Sequence, residues 1–425
     1  MRSEQATGGG FPPSRGRFLQ QTVCRFSFLI VAATAVAAGA EDDLPLAVLV
    51  DGEPLAGRLA SIDERWEIVF QTAAGPRKVN AAELVTWGKC REPDRGPWIL
   101  LRDGSLIVGD WRHFDGDHLR GETRLFGEVR LARARVAAAV WQLPGDRDGR
   151  DRLVDWALAR ATPARPGEAS PDDRARLVNG DEIAGALERV TDRGISWRSG
   201  VGSLELEFDR VIAVRLGGAP PAGEEASPRP RSLVAWTGWR DGARLLVAAL
   251  VTEGNAIRAT LPDGTTWRAA AGELVFLQPL GGRAVYLSDL RPEAYRHVAY
   301  LKLAWPFFAD RGAAGGLLRG GGSIHLKGLG MHSASRLTYL LSEPYRRFQA
   351  EAAVDDRTEG GGSVGFRVFV DGQMRYASPV VRGGQAPLPL SVDLSGARRL
   401  DLVVDFADRA DELDHADWLN ARLIR

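Results

Sequence analysis

Four of the six histidines in this chain fall between residues 290 and 425. Two short motifs concentrate polar chemistry in that stretch. One is Lys327-Gly328-Leu329-Gly330-Met331-His332-Ser333; the other is Asp414-His415-Ala416-Asp417-Trp418. Imidazoles beside carboxylates suit metal binding, acid–base work or the gripping of hydroxyl groups. A sugar ring uses the third of these. Its C–H face lies on an aromatic ring, and its hydroxyls bond planar polar groups such as imidazole and carboxylate. Trp418 supplies a platform, and His332, Asp414, His415 and Asp417 supply hydroxyl partners.

Each of these residues also has a structural reading. Trp418 suits a core position at a sheet edge, because tryptophan is usually largely buried. Asp414 and Asp417 suit turn caps or hard oxygen ligands for Ca2+. Asp355-Asp356 is either a second pair of Ca2+ ligands or a turn former. His332 sits in a glycine-rich loop, where a backbone hydrogen bond is the alternative to ligand contact. Lys327 reads as solvated.

The elements that must position these residues are strands. The chain has 425 residues, 49 of them glycine, with Val, Leu, Thr and Trp recurring in short runs. That texture suits many short strands joined by tight turns. Formal net charge is zero, which argues against nucleic-acid binding through a broad basic field. Lysine occurs only at Lys78, Lys89, Lys302 and Lys327, so the basic residues are almost all arginine.

The N-terminus reads as an export signal over residues 1–40. Arg15, Arg17 and Arg25 precede an apolar run from Phe26 to Ala38, and Ala38-Gly39-Ala40 offers a cleavage site. The run is shorter than the ~20 residues of a membrane span. The expectation is an exported protein of the periplasm, envelope or extracellular space, with no span after cleavage. Cys90 is then the only cysteine left, so neither a disulfide within the chain nor a cysteine metal site is available.

Between residues 41 and 280 the chain looks repetitive. Val50-Asp51-Gly52, Leu101-Arg102-Asp103-Gly104, Leu177-Val178-Asn179-Gly180 and, more weakly, Trp239-Arg240-Asp241-Gly242 each open a strand-rich unit of about 40 residues. The pattern predicts small antiparallel units or SH3-like barrels: two over 41–145, a third over 176–216 and a fourth over 232–280. A short helix over Asp151–Ala161, with Leu153, Trp156 and Ala157 on one side, sits with a linker in 146–175. A second, Pro-rich linker spans 217–231. On this reading the third unit hangs between two tethers.

From Arg283 onward about eight short strands predict a jelly-roll-like β-sandwich. Here the sequence resembles a known family. Tyr286-Leu287-Ser288-Asp289-Leu290, Asp310-Arg311, Lys327 to His332, Tyr345 to Ala350, Val354-Asp355-Asp356, Gly362 to Gly372, Ser395 to Leu400 and Asp414 to Trp418 follow in order the pattern of the NPCBM domain. That domain is a carbohydrate-binding module found beside family 98 glycoside hydrolases. The resemblance implies a sugar-binding sandwich, with galactose-containing glycans as ligands of some members. One loop departs from the pattern. Arg357-Thr358-Glu359-Gly360-Gly361-Gly362 is short and has no aromatic residue, so sugar preference does not carry over.

The reading that results is an exported, non-catalytic glycan-binding protein, its β-units a stalk or a surface for an envelope protein partner. Ca2+ is the one cofactor expected. A glycoside hydrolase or hydrolase component is an alternative, as is a structural scaffold of the envelope. No His-Glu-x-x-His, Gly-x-Ser-x-Gly, phosphate-loop or dinucleotide motif is present.

Overall fold

In the computed structural model, the structure describes residues 44–159, 173–200, 202–218, 232–300 and 302–425. The export signal and the first linker, Thr162 to Pro171, lie outside the described residues. So does the second linker beyond Gly218.

The same turn follows the first strand of each of the four units. In each unit an Asp or Asn side chain accepts a hydrogen bond from the amide two residues on: Glu53 to Asp51 Oδ1 at 3.0 Å, Ser105 to Asp103 at 2.8 Å, Asp181 to Asn179 at 3.1 Å and Ala243 to Asp241 at 2.9 Å. The glycine between them takes φ near +90°: 91° at Gly52, 90° at Gly104, 92° at Gly180 and 87° at Gly242. A Cβ strains that left-handed conformation, which explains the repeated Asp/Asn-Gly.

Each turn follows a strand that pairs with the closing strand of its own unit. Leu46–Leu49 pairs with Leu84–Gly88, and Trp98–Leu101 with Val136–Val140. Asp173–Leu177 pairs with Val211–Arg215, and Val234–Trp239 with Leu274–Leu280. The chain thus closes four small antiparallel units. A 3-10 turn precedes the closing strand in the first, second and fourth: Ala81–Glu83, Arg133–Arg135 and Ala271–Glu273.

The units are stitched edge to edge. Leu277 pairs with Trp87, Val140 with Ala213, Val190 with Phe114 and Arg244 with Leu106. One apolar core runs through all four, with Trp111, Trp197 and Trp239 fully buried. The third unit therefore does not hang between tethers; its closing strand is hydrogen-bonded to that of the second. The helix runs Arg147–Leu158, earlier than its apolar spacing suggested. Asp146 caps it by accepting from the Gly149 amide at 2.6 Å. Among the described residues no helix is long and apolar enough to cross a membrane.

The C-terminal segment is an antiparallel sandwich. One sheet holds Gly328–His332, His415–Ile424, Arg347–Val354 and Leu388–Asp393, with Phe308–Ala309 and Ala284–Tyr286 at its margins. The facing sheet holds Ala294–His297, Ser335–Leu340, Arg399–Phe406, Ser363–Val370 and Gln373–Ala377. Leu329, Met331, Phe348, Phe366, Leu402 and Trp418 fill the space between. The fold class expected from the sequence is the one observed: all-β, with small antiparallel units before a sandwich.

Sandwich and units share buried contacts. Arg319 donates to Asp151 at 2.6 and 2.9 Å and to Glu92 at 2.6 Å, and it is 3% exposed. Gln278 bonds Tyr286 and Asn420, and Cys90 forms a lone β-bridge with Ile324. Removing the cation from such a triad leaves buried carboxylates facing each other. Arg319→Met is expected to cost about 3–5 kcal/mol, read as a lowered urea-unfolding midpoint. A variant as stable as the parent contradicts this role for Arg319.

Candidate functional site

Strand register brings the two histidine motifs together. His332 ends Gly328–His332, His415 begins His415–Ile424, and the two are direct partners across the sheet. Their rings lie 5.9 Å apart. The loop between Ala294–His297 and Phe308–Ala309 lays Trp305 over them. Trp305 stacks on His332 at 4.5 Å and 6°, and its centroid is 5.7 Å from that of His415. His297 meets His332 edge-on at 6.0 Å. The loop is held by the Trp305 amide donating to His297 Nδ1 at 3.3 Å and by Tyr295 Oη donating to the Trp305 carbonyl at 2.8 Å.

The site is an aromatic shelf of partly exposed Trp305, His297 and His415 over buried His332. The backbone beside it is strained. Ala334, two residues past His332, and Leu413, two before His415, take φ of 56° and 55°. Non-glycine residues in the left-handed region persist only where the surroundings hold them, and they gather at functional sites.

Burial sets the charge of the shelf. It pushes His332 down to about 4, helped by the neighbouring His415 and His297. Burial also lowers His415 and His297. All three imidazoles are neutral at pH 7, and each then offers one donor and one acceptor. His332 Nδ1 is buried and has no protein partner. A neutral surface of this kind suits hydroxyl groups better than ions.

The remaining expected site residues lie elsewhere. Trp418 is fully buried in the sandwich core, edge-on to Phe366 at 4.8 Å, so it is not a platform. Alternation is the reason. Successive strand side chains point to opposite faces, so His415 and Trp418, three apart, cannot share one. Asp414 is also fully buried. It accepts from the Ser363 amide at 2.9 Å, and burial raises its carboxyl to about 6. Asp414 thus ties two loops together and does not face the shelf. Asp417 shares the outward face of its strand with His415, but it is fully buried and lies against Asp355. Lys327 is 5% exposed, not solvated, and donates to Asp289 and Asp310 at 2.5 and 2.6 Å. Trp305 and His297 lie outside the two motifs; the only signal in the sequence was a tryptophan eight residues after a histidine, in the mostly apolar run Val298 to Phe307.

Asp355 and Asp356 do not converge on one point. Asp355 is buried and accepts from the Arg357 amide, whereas Asp356 accepts from the Gly322 amide at 2.8 Å. The partner of Asp355 is Asp417. Burial raises Asp355 to about 6, and it pushes Asp417 well above the usual carboxylate range, with Asp355 adding repulsion. Neither oxygen of Asp417 has a close hydrogen bond. Among the described residues no group of three or more His, Cys, Asp or Glu could hold a metal ion.

With this geometry in view, residues 283–424 match the model of the NPCBM/NEW2 domain, and the C-terminal sandwich is a domain of that family. Over 107 residues, 25% of this chain, the sequence is 36% identical to a Renibacterium salmoninarum protein named "Putative endo-alpha-N-acetylgalactosaminidase". Over 115 residues, 26% of the chain, it is 33% identical to alpha-1,3-galactosidase B of Akkermansia muciniphila. The matched stretches span only 7% and 14% of those proteins. Among solved structures, the CBM51 module of Clostridium perfringens GH95 in complex with methyl-galactose is similar at 25% identity. That match covers 33% of this chain and 99% of the module, with a TM-score of 0.30.

The neutral state of the shelf can be measured. His332 is expected to titrate near pH 4 by NMR of its ring protons. Titration near the ordinary 6.5 means that the ring is solvated and the stacked arrangement is wrong.

Proposed function

We propose that this chain is an exported, non-catalytic glycan-binding protein whose ligand lies on Trp305. The observation that carries the proposal is the stack of Trp305 on His332 with His415 alongside. An indole face takes the C–H face of a sugar, and neutral imidazoles both donate to and accept from its hydroxyls. The relatives' names, a galactosidase and an N-acetylgalactosaminidase, favour galactose-type rings. The shallow site exchanges water for each contact, so binding is weak per site. The repeated units make the second surface, for a protein partner in the envelope.

A role as the accessory part of a glycoside hydrolase is the second reading, favoured by the hydrolase names of both relatives. A glycosidase needs two carboxylates about 5–10 Å apart across the bond cleaved. Of the carboxylates around the shelf, Asp411 influences His297 and His332, Asp148 influences His415, and Asp414, next to His415, is buried.

Calorimetry with methyl galactosides tests the proposal. Trp305→Ala and His415→Ala are each expected to weaken binding at least about tenfold, the 1.4 kcal/mol of one lost contact. A blank across galactosides, glucosides and uronic acids sinks it, as does full binding by Trp305→Ala.

For Ca2+, expected from the sequence at Asp355 and Asp356, we propose the pair Asp355 and Asp417 as the holding residues. Two buried carboxyls with spare oxygens suit a hard cation, which would take the place of their shared proton. Without an ion, carboxyls with raised values stabilise the fold at low pH. That contribution is lost as pH rises through about 6. Ca2+ is therefore expected to raise the melting temperature at pH 7.5 but not at pH 4.5, and Asp417→Asn to remove the effect. No change with Ca2+ at pH 7.5 rules the ion out.

A further inference from the structure

A groove of about 510 Å3 opens on the seam between the second and third units. That lies within the ~300–1000 Å3 of sites that hold a small molecule. Asp110, Trp111 and Arg112 enter it from the strand Asp110–Phe114, and Trp141 and Gln142 follow the closing strand of the second unit. Asp192 sits in the turn before Gly194–Ser199, and Phe208 and Asp209 lie just before Val211–Arg215. Hydrogen bonds fix these segments to the seam. The Trp141 and Gln142 amides both donate to the Ile212 carbonyl, at 2.9 and 3.2 Å, and the Phe208 amide donates to the Arg193 carbonyl at 3.3 Å. Gln142 Nε2 donates to the Phe208 carbonyl at 2.6 Å.

One wall of the groove is aromatic. Trp141 and Phe208, both half-buried, stack at 5.3 Å and 28°. The other charges are mostly negative: Asp110, Asp192 and Asp209 stand against one cation, Arg112. Arg112 meets Asp110 at 3.4 Å, but both side chains are more than half exposed, so the pair is weak. The carboxylates of Asp192 and Asp209 have no hydrogen bond or ion pair among the described residues. Arg193 and Arg210, next to them in sequence, do not line the groove. Trp111 adds an unmatched donor. It is 1% exposed, its carbonyl accepts from Trp141 Nε1 at 3.3 Å, and its own Nε1 has no acceptor. A buried donor costs free energy until an acceptor reaches it.

We infer that this groove is a second ligand site, for a small cationic sugar of the hexosamine class with a free ammonium. The C–H face of the ring lies on the Trp141 indole, which also attracts the positive charge. Asp192 and Asp209 supply the carboxylates that accept from the ammonium. A ring hydroxyl accepts from Trp111 Nε1, and another donates to Gln142 Oε1, which no described protein group uses. A quaternary ammonium fits less well. It has no N–H for the carboxylates, and Trp141 and Phe208 cover each other instead of forming a cage. An anion is repelled by the excess of carboxylates. The groove belongs to the repeated units and does not depend on the Trp305 shelf.

The test is calorimetry on the full chain with D-glucosamine and D-galactosamine, using N-acetyl-D-glucosamine, D-glucose and choline as comparators. Saturable hexosamine binding is expected, at least about tenfold stronger than for any comparator, a difference of one decade in Kd. Asp192→Asn with Asp209→Asn is expected to weaken it at least about tenfold, and Trp141→Ala likewise, while Trp305→Ala keeps it. Both aspartates are exposed, so the paired variant keeps the test open if Trp141→Ala does not fold. The inference is overturned by no saturable hexosamine binding to the folded parent, or by unchanged affinity in the paired aspartate variant. N-acetyl-D-glucosamine or D-glucose binding as tightly shows that the ammonium is not read, and choline binding as tightly shows that the sugar is not; either overturns it. Loss in Trp305→Ala without loss in the aspartate variant assigns the hexosamine to the shelf and overturns it too.

Discussion

The strand His415–Ile424 is the constraint on which the C-terminal half depends. It pairs with Gly328–His332, Arg347–Val354 and Ala284–Tyr286, and its residues serve three purposes by alternation. Ala416 and Trp418 enter the sandwich core, while His415 and Asp417 face away from it. The register then shifts beside Gln349 and Glu351, where Asn420 takes φ of 49°. A bulge there swaps the faces, so Ala421 and Leu423 enter the core and Asn420 and Arg422 turn to the junction. One strand thus starts at the shelf, fills the core and ends against the first unit, where Ile424 packs with Val50 and Val85.

This arrangement explains what the sequence displayed and what it hid. The four Asp/Asn-Gly turns were legible because each carries its own local mechanism, a side-chain hydrogen bond and a positive φ. The sandwich was legible through ordered motifs. The faces of the last strand were not. A five-residue motif containing His415 and Trp418 looks like one site on paper, yet strand parity separates them. Trp305 escaped notice because its loop joins the shelf only through register set by His332 and His415, far away in sequence. Lys327 looked solvated because Asp289 and Asp310, which hold it, are remote along the chain. The stitching of the third unit to the second was hidden for the same reason.

The shelf and the junction are opposite solutions to polar burial. At the shelf, burial removes charge, and neutral imidazoles remain for hydroxyl groups. At the junction, burial keeps charge and pairs it: Arg319 with two carboxylates, Lys327 with two more. The first suits a reversible contact with a neutral, hydrated ligand. The second fixes the sandwich to the units, so that the shelf is carried on a rigid support.

The most direct measurement is a crystal structure of the protein soaked with a methyl galactoside. The account predicts the sugar ring stacked on Trp305, with hydroxyls within hydrogen-bond reach of His415 and His297. A sugar seated elsewhere on the sandwich, with Trp305 free of contact, contradicts it.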